Sequence, residues 1–321
     1  MKKISIVVPC YNEEETVEAF YQACERVLPD LNRLNGETYE FEYIFVDDGS
    51  KDSTAAKIQV LNEVNPHCHY IIFARNFGKE AGLYAGLKHA SGDFVTVMDA
   101  DLQDPPEMLL EMVTYLESGE FDCVGTRRAD RDGEPKIKSF LSDLFYTINN
   151  KISKTNIVNG ARDFRLMTRQ MTDAILDLSE YNRFSKGLFS WVGFRTKYLP
   201  YKNVERVAGE TKWNFGSLFK YSIEGVVNFS DTPLKLATIA GFLFSFGAAI
   251  MIVIYAFRAI FGYVDSKGFT TIVCLILLLG GIQLIAIGVL GEYIGKIFLE
   301  TKKRPIYIAR LKDEGINERG N

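Results

Sequence analysis

Phe94-Val95-Thr96-Val97-Met98-Asp99-Ala100-Asp101-Leu102-Gln103-Asp104-Pro105-Pro106 reads as one strand, one acidic turn and one helix start. Phe94 to Met98 is a continuous apolar run without polar alternation, the pattern of a strand covered on both faces. Pro105-Pro106 ends it and opens a helix expected to run through about Leu116, because proline suits a first helical turn. A strand covered on both faces needs helices above and below it, which is the α/β arrangement.

The same unit recurs on either side. Ile4 to Pro9 is an apolar, β-branched run followed by a helical spacing over Glu14 to Leu28. Phe41 to Val46 is a second strand, and Asp52 is placed to cap a helix through about Val64. Tyr70 to Phe73 and a helix over Gly78 to Ala90 follow, and Asp122 to Gly125 is a fifth strand. The expectation is an α/β fold with a doubly wound, mostly parallel sheet. Ligands bind such sheets at the carboxyl ends of the strands. Polar clusters stand at those ends, at 9–13, 47–50, 74–80, 99–104 and 126–128, so they are expected to share one rim.

The residue types on that rim suggest anion chemistry. Asp99 and Asp101 repel each other and gain from a cation between them. Hard oxygen ligands with open positions suit Mg²⁺ or Mn²⁺ carrying a diphosphate, and Gln103 adds a carbonyl oxygen. The same three residues also read as a solvated turn before a helix. Asp48, in Asp47-Asp48-Gly49-Ser50, is suited to a base or ribose, or to a simple Asp-Gly turn. Arg75 and Lys79 bring positive charge that would offset a diphosphate. No GxGxxG follows the first strand and no GxxxxGK[ST] occurs, which argues against a dinucleotide cofactor and against ATP hydrolysis.

Composition narrows the class. In 321 residues, 47% hydrophobic and 24% charged is a globular balance, and a net charge of −4 argues against nucleic acid as a partner. Five cysteines without a CxxC indicate neither a disulfide framework nor a zinc site. His67 and His69 fall away from the rim and read as structural or exposed.

The last third differs. Leu236 to Phe257 and Phe269 to Gly291 are uncharged runs of 22 and 23 residues, each long enough for a membrane-crossing helix. The 11 residues between them make a tight hairpin. Its loop holds two basic residues, Arg258 and Lys267. The flanks hold six: Lys220, Lys235, Lys296, Lys302, Lys303 and Arg304. The positive-inside bias then places both termini in the cytoplasm. The N-terminal stretch, with three Glu soon after a short apolar run, does not read as a signal peptide. Trp213, Phe215, Phe219 and Tyr221 suggest an interfacial amphipathic segment. The expected organisation is a cytosolic catalytic domain over 1–212, an interfacial segment over 213–233, two transmembrane helices over 234–291 and a cytosolic tail over 292–321. Asn182 to Gly187 and Arg206 to Trp213 are basic, suited to a membrane-borne anion or to positive-inside bias alone.

VVPCYNEEE, VDDGS, RNFGKEAG, MDADLQDPP, DFRLM, RFSKGLFSWVGF and GETKW, in this order before two spans, resemble glycosyltransferase family 2. Within it they are similar to the polyprenyl-phosphate glycosyltransferases. That group includes bacterial undecaprenyl-phosphate glucosyl- and N-acetylglucosaminyltransferases and dolichol-phosphate mannose synthase. The resemblance reaches about Tyr307. It implies a GT-A fold, an inverting transfer, a nucleotide-sugar donor, a divalent metal (Mg or Mn), a polyprenyl (undecaprenyl) phosphate acceptor, a cell-membrane location and a homo-oligomer, a tetramer by family pattern. It assigns Pro9, Tyr11, Asn12, Glu13, Asp48, Lys79, Asp99 and Ala100 to the nucleotide sugar, and Asp99, Asp101 and Gln103 to the metal. It assigns Arg127, Arg128, Lys138 and Ser142 to the acceptor phosphate, with Arg206 and Lys212 added as cations close to the membrane. Lys138 stands where mannose synthases tend to carry Arg. Asp163 and Asp101 are the expected catalytic carboxylates, Asp163 as base or orienter. The QxxRW signature of processive synthases is absent, which disfavours polymerisation.

A lipid monophosphate has a second pKa of about 6, so it is largely ionised and scarcely needs a base. The chemistry then consists of bringing an anionic nucleophile to an anionic donor. The rival reading is a non-catalytic, membrane-anchored nucleotide-binding or flippase-associated protein. Two spans are too few for a transport path, and a rim of strand-end acids would have no task in it.

Overall fold

The computed structural model describes residues 1–34, 36–128, 158, 160–201, 227–261 and 268–315. The chain alternates strand and helix from the start: β1 (Lys2–Cys10), α1 (Val17–Leu34), β2 (Tyr39–Asp47), α2 (Thr54–Val64), β3 (Cys68–Phe73), α3 (Lys79–His89), β4 (Phe94–Val97) and α4 (Met108–Glu117). Then follow β5 (Cys123–Arg128), β6 (Ala161–Thr168), α5 (Arg169–Leu176), α6 (Ser185–Trp191) and β7 (Thr196–Tyr201). The last elements are α7 (Thr232–Ile260), α8 (Phe269–Thr301) and β8 (Ala309–Lys312).

The strands form one sheet in the order β7-β5-β6-β4-β1-β2-β3-β8. Alternate residues of the central strands feed two cores. Ile4, Ile6, Val8, Tyr43 and Phe45 face α1 and α4 residues such as Phe20, Leu109 and Met112. Val7, Ile44, Val46 and Ile71 face Leu83, Leu87 and Met171 from α3 and α5. This two-sided burial is why the strands read as continuous apolar runs.

The sheet is more mixed than the sequence suggests. Four pairings are parallel, and β6 and β8 contribute three antiparallel ones. The first helix does not stop at Leu28 but runs through Pro29 to Leu34. Proline removes one donor from a helix, and the complete burial of Leu31 beyond it outweighs that loss. The fifth strand extends to Arg128, so 126–128 belong to the strand itself.

α7 and α8 are both long and apolar enough to cross a membrane. Their outward side chains are bare, Phe242 being 71% exposed. Tyr293 OH donates to the Ser230 carbonyl at 2.6 Å, which ties the base of one helix to the other. The predicted boundaries shift here. α8 continues past Gly291 to Thr301, and the expected tail re-enters the sheet as β8, antiparallel to β3. Tyr307 stacks on Phe73 with ring centroids 4.9 Å apart, and with Ile306 it anchors the chain leaving α8 on the core. β8 covers an edge that would otherwise expose unpaired backbone groups. Residues 213–226 of the predicted interfacial segment, and 262–267 of the loop between the helices, lie outside the described residues.

Candidate active site

The parallel strands β1, β2, β3 and β4 end together, and their turns form the rim. After β1, the Asn12 side chain accepts from Lys51 N at 2.9 Å, and Asn12 N donates to Ser50 Oγ at 2.9 Å. Glu13 N donates to Thr54 Oγ1 at 2.8 Å. Asp52, read as a helix cap, instead stands one residue ahead of the cap position, Ser53, and accepts from Thr54 N at 3.1 Å. The turns after β1 and β2 are thus one unit. Gly49 sits at φ +69°, and a side chain there would meet the Arg75 carbonyl carbon at 2.6 Å.

Asp48 is buried, and its two oxygens accept from Phe77 N at 2.6 Å and Gly78 N at 2.9 Å. Burial raises its carboxyl pKa against those two donors. Asp48 therefore fixes the loop that leads into α3, whose first residue is Lys79. Lys79 Nζ donates to Asp99 Oδ2 at 2.8 Å and to Asp163 Oδ2 at 2.7 Å. Burial by itself would lower the ammonium's pKa, and the charges of Asp163 and Asp99 reverse that and raise it. Burial would likewise raise the Asp163 carboxyl, and Lys79 and Lys186 hold it well below the usual carboxylate range. One cation thus bridges two carboxylates, one from the turn after β4 and one from β6.

The register explains the meeting. Antiparallel β6 pairs Arg165 with Val97, so two residues further on Asp163 falls beside Asp99. Neighbouring side chains on a strand point to opposite faces. Arg162 accordingly turns the other way, donating to Gln103 Oε1 at 3.1 Å, Tyr201 OH at 3.1 Å and Asp104 Oδ1 at 3.4 Å. Tyr201 OH also donates to Asp104. Burial raises the Asp104 carboxyl against the pull of Arg162. Asp101 Oδ1 accepts from Gln103 N at 3.2 Å, and Leu102 between them holds φ +56°. Positive φ at a non-glycine residue is uncommon and concentrates at functional sites. Asn12, at φ +55°, is the rim's second instance. Arg165 is buried, stacks over the Phe189 ring at 3.6 Å and donates to the Arg162 carbonyl at 2.9 Å, fixing β6 on either side of Asp163.

Of the residues singled out from sequence, Pro9, Tyr11, Asn12, Glu13, Asp48, Lys79, Asp99, Ala100, Asp101, Gln103 and Asp163 stand on or beside this rim. Arg127 is exposed on β5 between Ala161 and Pro200, and Arg128 pairs with Tyr201 through its backbone. Lys138, Ser142, Arg206 and Lys212 lie outside the described residues. Sequence reading gave no role to Arg162, Asp104 or Tyr201. Nothing in the sequence signals Tyr201, because its place depends on β7 lying beside β5.

Residues 5–176 match the family described as Glycosyl transferase family 2. The chain is 41% identical to the putative glycosyltransferase CsbB of Bacillus subtilis, covering 96% of this chain and 91% of that protein. It is 42% identical to the SfII prophage-derived bactoprenol glucosyl transferase of Shigella flexneri, covering 98% and 99%. Among solved structures it resembles a mannosyltransferase, PcManGT from Pyrobaculum calidifontis, in complex with GDP-Man and Mn2+. That likeness has 18% identity, a TM-score of 0.46 and coverage of 91% and 87%. With more than half its length inside the family match and relatives alike from end to end, the chain belongs to glycosyl transferase family 2 and is a glycosyltransferase.

Proposed function

We propose that the protein transfers a hexose, with inversion, from a nucleotide diphosphate sugar to a polyprenyl phosphate held in the membrane. UDP-glucose is the favoured donor and UDP-N-acetylglucosamine the second. The observation that carries this reading is Lys79, one ammonium bridging Asp99 and Asp163 where four strand ends meet. It supports a site in which a donor-side acid and an acceptor-side acid are held together. The bactoprenol and glucose in the relatives' names favour the acceptor and the sugar.

Asp99 and Asp101 suit a divalent ion. Mg²⁺ is usually held by one or two carboxylates together with substrate phosphates, not by an all-protein cage. Among the described residues no group of three or more His, Cys, Asp or Glu gathers, which fits an ion shared with a diphosphate. Asp99, Asp101 and the Gln103 carbonyl oxygen would hold it, and it would neutralise charge on the departing diphosphate.

The remaining work falls to this chain's side chains. Asp48 and the 77–78 backbone shape the donor side of the rim. Lys79 offsets negative charge between donor and acceptor. Asp163 orients the acceptor phosphate or accepts its residual proton, and Arg127 lies toward the acceptor. α7 and α8 hold the chain in the membrane as a hairpin, with the sheet and both termini on the cytoplasmic side. β8 supports this arrangement, since the chain leaving α8 rejoins the sheet that precedes α7.

The test is a panel of nucleotide sugars with undecaprenyl phosphate in detergent, with the product anomer read by NMR. A lipid-linked sugar of inverted configuration is expected. Water-soluble products alone, across the whole panel, would overturn the acceptor assignment.

A further inference from the structure

The segment 181–187 touches α8, the residues just before α7 and the catalytic rim. From α8, Glu300 Oε1 accepts from Tyr181 N at 2.8 Å and from Asn182 N at 3.4 Å. From the approach to α7, Asn228 Nδ2 donates to the Asn182 carbonyl at 3.1 Å. The Phe229 ring lies against the Phe184 ring at 6.0 Å, and it presses so closely on Gly187 that a side chain there would meet it at 2.3 Å. On its other side the segment grips α3. Ser185 donates to Glu80 through its amide at 3.0 Å and again through its hydroxyl. The Arg183 guanidinium stacks over the Tyr84 ring at 4.7 Å. Glu80 is the immediate neighbour of Lys79, which bridges Asp99 and Asp163.

A helix rises about 1.5 Å per residue, so Glu292 to Thr301 extends α8 by about 15 Å beyond its uncharged run. Its end meets the catalytic domain through a charged acceptor on two backbone donors. Such bonds are shorter and stronger than neutral ones, and they fix direction as well as distance.

We propose that residues 181–187 are a docking platform for the base of the helical pair, and that Glu300 and Asn228 are positioning residues. They set the height and angle of the rim over a membrane-borne acceptor, with Ser185 and Glu80 carrying that position to Lys79. The proposal rests on the polyprenyl phosphate reading of the acceptor. It assigns Arg183 a task that differs from binding the lipid phosphate directly: its guanidinium faces Tyr84 and the Ile175 carbonyl.

The test uses the full chain in nanodiscs and three variants: Glu300→Ala, Glu300→Gln and Asn228→Ala. UDP affinity is measured by calorimetry, and acceptor KM and kcat by turnover on undecaprenyl phosphate. Glu300→Ala is expected to raise acceptor KM at least about fivefold, with UDP affinity within about twofold of wild type. Glu300→Gln keeps an acceptor oxygen and should recover most of the loss. Asn228→Ala reaches the same platform from the residues before α7 and should move KM in the same direction. Unchanged acceptor KM in both alanine variants, or a parallel fall in UDP affinity, would overturn the proposal. Absence of lipid-linked product from the wild type would instead overturn the acceptor reading on which it rests.

Discussion

The two ends of the sheet use the same residue types to opposite effect. At the amino-terminal end, Glu42 is buried and surrounded by donors: the hydroxyl of Ser5, the hydroxyl of Ser91, the Ser91 amide at 2.8 Å and, at 3.7 Å, Lys3. Gly92 N completes the set by donating to Ser5 Oγ at 2.8 Å. Beside it Lys2 pairs with Glu117, which also accepts from Tyr39 OH at 2.9 Å. At the carboxyl end, one ammonium is shared between two carboxylates, and two non-glycine residues hold positive φ. The lower end surrounds the Glu42 carboxylate with hydroxyl and amide donors, sets Lys3 beside it, and closes. The upper end gathers excess negative charge around one cation and stays open to a ligand. Buried charge alone therefore does not mark a site, whereas unbalanced charge at strained turns does.

Substitutions should separate the two ends. The largest effect expected is from chelation: excess EDTA should abolish sugar transfer and Mg²⁺ or Mn²⁺ restore it, and full turnover in EDTA would remove the proposed metal. Asp163→Asn comes next. It should lower kcat by about 100-fold or more while the melting temperature stays close to wild type, as read by turnover and thermal melts in detergent.

Glu42→Gln should do the reverse. Charged hydrogen bonds are worth about 1.5–3 kcal/mol, so the melt should fall by several degrees with kcat within about twofold of wild type. The pH dependence has a definite sign. Burial favours the neutral Glu42 carboxyl, but Ser5, Ser91 and Lys3 outweigh it and lower the pKa. That stability is fully present above the unfolded value of about 4.3 and is lost as pH falls through the folded value. Melts from pH 7 to 3 should steepen at the acid end in wild type and flatten in Glu42→Gln. A variant that loses kcat but keeps its melt would erase the distinction between the two ends.

The smallest effect is expected at Tyr39→Phe, which removes one hydrogen bond to the Glu117 carboxylate, about 1.5 kcal/mol, and leaves that carboxylate paired with Lys2. Thermal melts should shift by only a few degrees, and a change in kcat would show that the lower end is not merely structural.

The lower end was nearly invisible in the sequence, and the upper end was not. Strand ends carry their polar residues in short local clusters, so DADLQD and VDDGS announce the rim without any knowledge of pairing. Asp163 could be named but not placed, because its neighbour Asp99 is set by the antiparallel register of β6. Glu42, Ser5 and Ser91 are far apart in the chain and join only through the pairing of β1 with β2 on one side and β4 on the other. β8 escaped for the same reason. Four exposed or half-buried residues beyond a long apolar helix carry no period of their own, and their strand conformation comes from the free edge of β3.

Lys79, between Asp99 and Asp163, is proposed as the charge on which transfer depends. The direct measurement is glucose transfer from UDP-glucose to undecaprenyl phosphate by wild type and Lys79→Met, with thermal melts alongside. Lipid-linked glucose is expected from wild type, and at least about a 100-fold lower kcat in Lys79→Met, with similar melting. Turnover by Lys79→Met within a few-fold of wild type would contradict it.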